Sequence, residues 1–162
     1  MPVDQETFRE AMSHWASGVA VVTTFVDGVP HGMTASAFCS VSTEPPTILV
    51  CVSKQARTHD RILRAGRFGV NILASTQQAY AVHFAGTPVF EGNPPFLCED
   101  DRPPAIADAL AFLECRVAKT CDAGTHTIFL GLVESCRIRP GGKPLTYYRR
   151  SYRQLLLEDD EE

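Results

Sequence analysis

Residues 29–53, Val29-Pro30-His31-Gly32-Met33-Thr34-Ala35-Ser36-Ala37-Phe38-Cys39-Ser40-Val41-Ser42-Thr43-Glu44-Pro45-Pro46-Thr47-Ile48-Leu49-Val50-Cys51-Val52-Ser53, decide how this chain is read. Small and hydroxyl-bearing residues (Thr34, Ala35, Ser36, Ser40, Ser42) stand between two apolar runs, and after His31 the only charge is Glu44. Two readings are open. One is a concave wall on which a flat ligand lies close to the backbone, with N–H groups and hydroxyls meeting its edge. The other is a strand, a Ser-rich bend and a second strand.

The flanks of this stretch read as short elements. Upstream, 19–26 is a β-branched run ending at Asp27-Gly28, a pair suited to the positive φ of a type I′ hairpin. Before it, Asp4 is an N-cap for an amphipathic helix with Phe8, Ala11, Met12, Trp15 and Ala16 at helical spacing and a stop at Gly18. Downstream, Glu44-Pro45-Pro46 interrupts regular structure and 47–53 reads as a buried strand. Thr58 caps a short helix with Asp60 in its first turn and Gly66 at its end; 68–73 is a strand; Ser75-Thr76-Gln77-Gln78 fits a capping box for a helix to Phe84. Residues 86–104 hold five of the eleven prolines and read as a surface loop or lid. Strands follow at 110–119 and 126–134, then a turn at Pro140-Gly141-Gly142 and a last strand over 145–152. Many strands, few helices and no repeated βα alternation predict a mainly β, antiparallel barrel.

The totals narrow the class. At 162 residues, 44% hydrophobic and 21% charged, the composition is that of one soluble domain, and apolar runs such as 48–52 are too short for a membrane span. The acidic N-terminus is unlike a signal peptide, so a cytoplasmic location is expected. Six cysteines without a C-x-x-C pair read as free thiols. The net charge of −4 owes much to Glu158 and the four acidic residues after it; without these five the body carries 15 basic against 14 acidic residues. The expected division is a domain over 1–157 and an acidic disordered tail over 158–162. Nothing resembles a nucleic-acid interface.

Dinucleotide, Walker, serine-hydrolase and zinc-protease motifs are absent, and the histidines (14, 31, 59, 83, 126) lack metal-ligand spacing. Residues 54–57 before a helix capped at Thr58 read either as an anion site or as an ordinary charged loop. His126, in Gly124-Thr125-His126 at the mouth of a strand, reads as a ligand contact or a structural histidine. Tyr147-Tyr148-Arg149-Arg150 reads as a cofactor-facing or a plain surface strand end.

In order along the chain, the segments Ser17-Gly18-Val19-Ala20-Val21-Val22-Thr23-Thr24, Gly32-Met33-Thr34-Ala35-Ser36-Ala37-Phe38, Phe68-Gly69-Val70-Asn71-Ile72-Leu73, Gly124-Thr125-His126-Thr127-Ile128-Phe129-Leu130-Gly131 and Pro144-Leu145-Thr146-Tyr147-Tyr148 resemble the short-chain flavin reductases of the FMN-binding split-barrel fold. Thr125 and Ala37 depart from the Asp and Ser frequent in that family.

The resemblance implies a Greek-key split β-barrel with flanking helices, a homodimer, and hydride transfer from NADH or NADPH to FAD or FMN for a separate flavin-dependent monooxygenase. By the same resemblance, Thr34, Ala35 and Ser36 hold the ring edge, and Cys51, Val52, Ser53, Arg57 and Thr58 follow the ribityl chain and phosphate. His83, Phe84 and Ala85 lie near the flavin, Tyr148 contacts cofactor, and His126 is the catalytic residue facing nicotinamide. The alternatives are a split-barrel flavoprotein reducing a corrinoid or ferric complex, and a non-enzymatic flavin- or haem-binding protein.

Overall fold

The computed structural model describes residues 1–92 and 94–158; the tail expected at 158–162 lies outside them except for Glu158. The elements, in chain order, are α1 (Gln5–Ser13), β1 (Ser17–Gly18), β2 (Ala20–Val26), β3 (Val29–Ala35), β4 (Phe38–Thr43) and β5 (Pro46–Ser53). Then come α2 (Arg57–Ala65), β6 (Arg67–Ile72), a 3₁₀ turn (Ser75–Gln77), α3 (Gln78–Phe84), β7 (Phe96–Leu97) and β8 (Ala105–Ile106). The long strands β9 (Ala111–Ala123) and β10 (His126–Ile138) and the short β11 (Leu145–Tyr148) and β12 (Ser151–Gln154) complete the chain.

Seven strands form one antiparallel sheet in the order β3-β2-β6-β9-β10-β5-β4, with β3 and β4 as unjoined edges, so the barrel is open. Its interior holds Val22, Val50, Val52, Phe68, Val70, Cys115 and Phe129, with Ile62 of α2 among them. A second cluster on the other face of β2 gathers Val19, Val21, Leu73, Ala81, Ile106 and Leu145 beneath α3 and the small sheet β1-β11-β12. The two clusters explain why β2 is apolar without alternation: Ala20 and Val22 point into one core, and Val21 into the other.

Local chemistry accounts for the element ends. Asp4 Oδ1 accepts from the Thr7 backbone N–H at 2.9 Å and so caps the start of α1. Asp27 and Gly28 take φ of 54° and 75° in the expected hairpin turn, and Gly66 closes α2 at φ 65°.

The structure corrects several expectations. The stretch 29–53 is three strands, because its Ser-rich middle is itself an edge strand, β4, on β5. That β5 is buried on one face only. Helix α1 ends at Ser13, short of Gly18, and buries none of its residues. Thr58 does not cap α2: Ala56 holds that position without a side-chain bond. The box expected at Ser75 and Gln78 is shifted by one residue, with Gln77 Oε1 accepting from the Ala74 N–H at 3.0 Å. Strands β9 and β10 are longer than expected, because they pair with each other far past the barrel core. The last strand is a hairpin, turning at Arg149 and Arg150 with φ of 49° and 61°.

The loop 86–104 is not wholly superficial. Its end, Pro103 and Pro104, is buried together with β8. The buried Asn71 side chain accepts from the Ile106 N–H at 2.7 Å, and the Thr23 hydroxyl donates to the Pro104 carbonyl at 2.7 Å. No helix among the described residues is long and apolar enough to cross a membrane.

Candidate functional site

The end of β3, the start of α2, the end of α3 and the β11–β12 hairpin enclose a cleft of about 370 Å³. Thr34 and Ser36 form its polar edge, and Phe84, Ala85, Tyr147 and Tyr152 give it flat and small apolar walls. Gly32 is required beneath it, since a Cβ there would stand 2.8 Å from the Phe84 ring. Phe84 is held from behind by Phe96, whose ring stacks on it at 5.5 Å and 27°. Tyr147 and Tyr152 are directly paired across the hairpin and meet edge to face at 5.3 Å.

Hydrogen bonding fixes the polar edge. The Thr34 hydroxyl donates to the Ala81 carbonyl at 2.6 Å, so toward the cleft it is left as an acceptor. The Ser36 hydroxyl, in the bend between β3 and β4, has no partner among the described residues and remains a donor. Burial, and then neighbouring Tyr147, push the Tyr152 phenol above its usual range, so this wall stays uncharged.

The other expected residues surround the cleft rather than line it. Ala35 and Val52 turn their side chains into the barrel core. Cys51 opens on an adjoining cavity of about 520 Å³, shared with Met12, Trp15, Ser36 and Tyr147; burial raises its thiol pKa, and Cys39 adds to this. Ser53 stands opposite His126 across the β5–β10 pair. Arg57 is exposed at the start of α2 with no partner among the described residues, whereas Thr58 is buried, its hydroxyl 3.5 Å from the Gly32 carbonyl.

Within 54–57 the cation open to an anion is therefore Arg57 and not Lys54, which is bound to Asp122 at 2.6 Å. His126 is exposed at the first position of β10, its Nδ1 2.9 Å from the Thr125 hydroxyl. His83 is turned to the loop: Nδ1 accepts from the Val89 and Phe90 N–H groups at 3.1 and 3.3 Å. Tyr148 is directed away from the cleft and lies under the Arg149 guanidinium, 5.9 Å from its ring centre. Strand alternation gives the inward place to Tyr147.

Comparison with known proteins shows which family the chain belongs to. The family described as the flavin reductase like domain matches residues 12–156. The chain belongs to the flavin reductase-like family. A flavin reductase (NADH) of Kitasatospora aureofaciens is 41% identical, covering 98% of this chain and 85% of that protein. The reductase component of a Thermus thermophilus 4-hydroxyphenylacetate 3-monooxygenase is 40% identical over 94% of this chain and 97% of its own length. The solved NADH:FAD oxidoreductase of Streptomyces globisporus, in complex with NAD and FAD fragments, superimposes with a TM-score of 0.88 at 34% identity, covering 98% of each chain. The open seven-stranded barrel is thus the split barrel of flavin reductases.

The residues fit a flavin. A planar tricyclic ring needs apolar faces and a polar edge of mixed donors and acceptors, and the cleft has Phe84, Tyr147 and Tyr152 for the one and Thr34 and Ser36 for the other. No group of three or more metal-ligating side chains exists among the described residues. Sequence reading holds Tyr147 only within a strand end that is either cofactor-facing or plain surface, and places the cofactor contact at Tyr148; it misses Tyr152, Val19, Met33 and Ala56 as cleft lining. A signal for Tyr147 was available: the fully apolar Leu145 shares its strand face.

Proposed function

We propose that this protein is an NAD(P)H:flavin oxidoreductase that supplies reduced flavin to a separate monooxygenase. The observation that carries the reading is the cleft itself, with flat apolar walls, an acceptor at Thr34, a donor at Ser36 and no activated nucleophile. Bound flavin would supply the acceptor for the hydride given up by the reduced nicotinamide.

The chain's own part in this is to hold two flat rings in contact at about 3 to 3.5 Å and keep water out. Thr34 Oγ1, its own proton given to Ala81, would serve as an acceptor for the ring edge, and the Ser36 hydroxyl as a donor where negative charge develops on it. Arg57 and the backbone N–H groups of Arg57 and Thr58 at the start of α2, near Ser53, would hold the phosphate; the next, of His59, already donates to the Ala56 carbonyl. His126, its Nδ1 engaged by Thr125, presents Nε2 to the nicotinamide side as the catalytic residue. The kinship to a flavin reductase (NADH) and to an NADH:FAD oxidoreductase supports NADH as donor and FAD as an acceptor.

The functional unit in this reading is a cytoplasmic homodimer built from the domain over 1–157. Phe8, Met12 and Trp15 of the α1 region are 56%, 51% and 73% exposed, and Met12 and Trp15 line the cavity adjoining the cleft. A second copy covering that face would remove apolar surface from water and seal the cleft. Six free cysteines suit a reducing compartment.

The test is aerobic nicotinamide oxidation by the purified protein with FAD, FMN or no flavin, and with NADH or NADPH. Turnover that saturates with one flavin is expected. Absence of turnover, with flavin or haem retained through purification, would replace the reductase by a binding protein.

A further inference from the structure

His59 is a buried imidazole that the proposed chemistry does not use. It lies in the first turn of α2, beside Thr58, and is only 8% exposed. Nδ1 is 2.8 Å from Asp60 Oδ1, Nε2 is 2.8 Å from Thr127 Oγ1, and the ring meets Phe129 edge to face at 5.6 Å. The Asp60 carboxylate only accepts, so it takes the proton at Nδ1; Nε2 then accepts from the Thr127 hydroxyl.

Carboxylate, imidazole and hydroxyl in this order also make up the relay that activates a nucleophile. Here the exposure is the reverse of what that role needs. Thr127 is 8% exposed and inaccessible to a substrate, whereas the Asp60 side chain is 83% exposed. The arrangement binds two pieces of chain together instead.

Those pieces are the two sides of the proposed site. Thr127 follows His126 on β10, and strand alternation turns Thr127 under α2 while His126 faces outward. His59 to Thr127 is the only side-chain hydrogen bond between α2 and β10 among the described residues. The backbone completes the junction: the Lys54 N–H donates to the Thr125 carbonyl at 3.0 Å, and His126 pairs with Ser53.

We infer that His59 is a positioning residue for His126: by clamping Thr127 to the first turn of α2, it sets the spacing between the nicotinamide-facing imidazole and the phosphate-binding Arg57. This rests on the reading of His126 given above. The clamp acts on orientation and leaves the flavin walls untouched.

The experiment uses single-turnover nicotinamide oxidation at saturating flavin, with flavin affinity measured separately by fluorescence. Thr127→Val, equal in shape but without the hydroxyl, lowers the rate about tenfold and raises the nicotinamide KM, while flavin affinity stays within about twofold. Thr127→Ser restores the rate. His59→Gln keeps a polar atom near the Nε2 position and retains most of the rate; His59→Asn keeps only the Nδ1 position and loses it. In a His126→Ala background, Thr127→Val has no further effect.

A fully active Thr127→Val, or a loss that simply multiplies with that of His126→Ala, overturns the clamp and leaves the reductase reading standing. A His126→Ala variant with unchanged nicotinamide kinetics overturns the role of His126, and the clamp with it.

Discussion

The Thr34 hydroxyl donates a 2.6 Å hydrogen bond to the Ala81 carbonyl, tying the edge of the cleft to the last turn of α3. The bond sets the direction of the remaining lone pairs, so Thr34 is fixed in both place and polarity. Thr34→Val is expected to cost about 1 kcal/mol of stability and to weaken flavin binding about tenfold, with Thr34→Ser close to the native protein. Thermal melts and flavin fluorescence titrations measure both; unchanged flavin affinity in Thr34→Val would remove Thr34 from the site.

Tyr147 and Tyr148 are neighbours with opposite facings, and the cleft reading separates them. Tyr147→Ala is expected to raise the flavin dissociation constant about tenfold through lost ring contact, and Tyr148→Ala to leave it within about twofold. Equal effects would return Tyr148 to the binding wall.

Gly32 has no room for a methyl group, because Phe84 is pressed onto it and Phe96 stands behind. Gly32→Ala should cost about 1 to 3 kcal/mol as an overpacking change and push Phe84 into the cleft. The expected signature is a lower melting temperature together with a raised flavin KM.

Asn71 bridges β2 and β8 from a fully buried position, and its amide also reaches the Val21 carbonyl at 3.2 Å. Asn71→Leu leaves the Ile106 N–H without its acceptor, a loss of about 1 to 3 kcal/mol. Limited proteolysis between 86 and 104 should accelerate by more than the change in global stability explains.

The thiols should separate by burial. Desolvation, then Cys136 and Glu114, push the Cys115 pKa from 9.0 up to about 12, while Cys39, Cys98 and Cys136 are exposed. At pH 8 an alkylating reagent should modify the three exposed thiols quickly and Cys115 only on unfolding. The folded state holds the Cys115 proton where the unfolded chain has lost it, so this thiol contributes stability below pH 9 that is lost progressively between about 9 and 12. Mass spectrometry of labelled peptides against time and pH reads both effects.

Much of this architecture was legible in short-range chemistry. The Asp4 cap, the Asp27-Gly28 turn and the Gly66 stop each depend on one or two residues, and each stands where expected. What escaped depended on distant partners. Lys54 looks like an anion ligand until Asp122, 68 residues on, takes its charge. Nothing in the sequence near His83 shows that the backbone N–H groups of Val89 and Phe90 close on its Nδ1. The residues 145–152 read as one strand because two Arg residues give no turn signal, although both adopt positive φ. Thr34, Ser36, Phe84 and Ala85 were legible as a group only through the ordered resemblance of several segments, since none carries a motif alone.

The cleft takes its floor from the seven-stranded barrel and one wall from the β11–β12 hairpin, which belongs to a separate small sheet. That sheet meets the barrel strands along a narrow seam: the Val19 N–H donates to the Leu145 carbonyl, the Leu145 N–H to the Leu73 carbonyl, and Ala74 bridges Pro144. The wall is consequently a cassette. Exchanging 146–154 for another hairpin of the same register, with Leu145 kept as the core anchor, would resize the opening for a bulkier or smaller ring without rewriting the core that folds the protein, which makes acceptor choice in this scaffold a property that can be grafted.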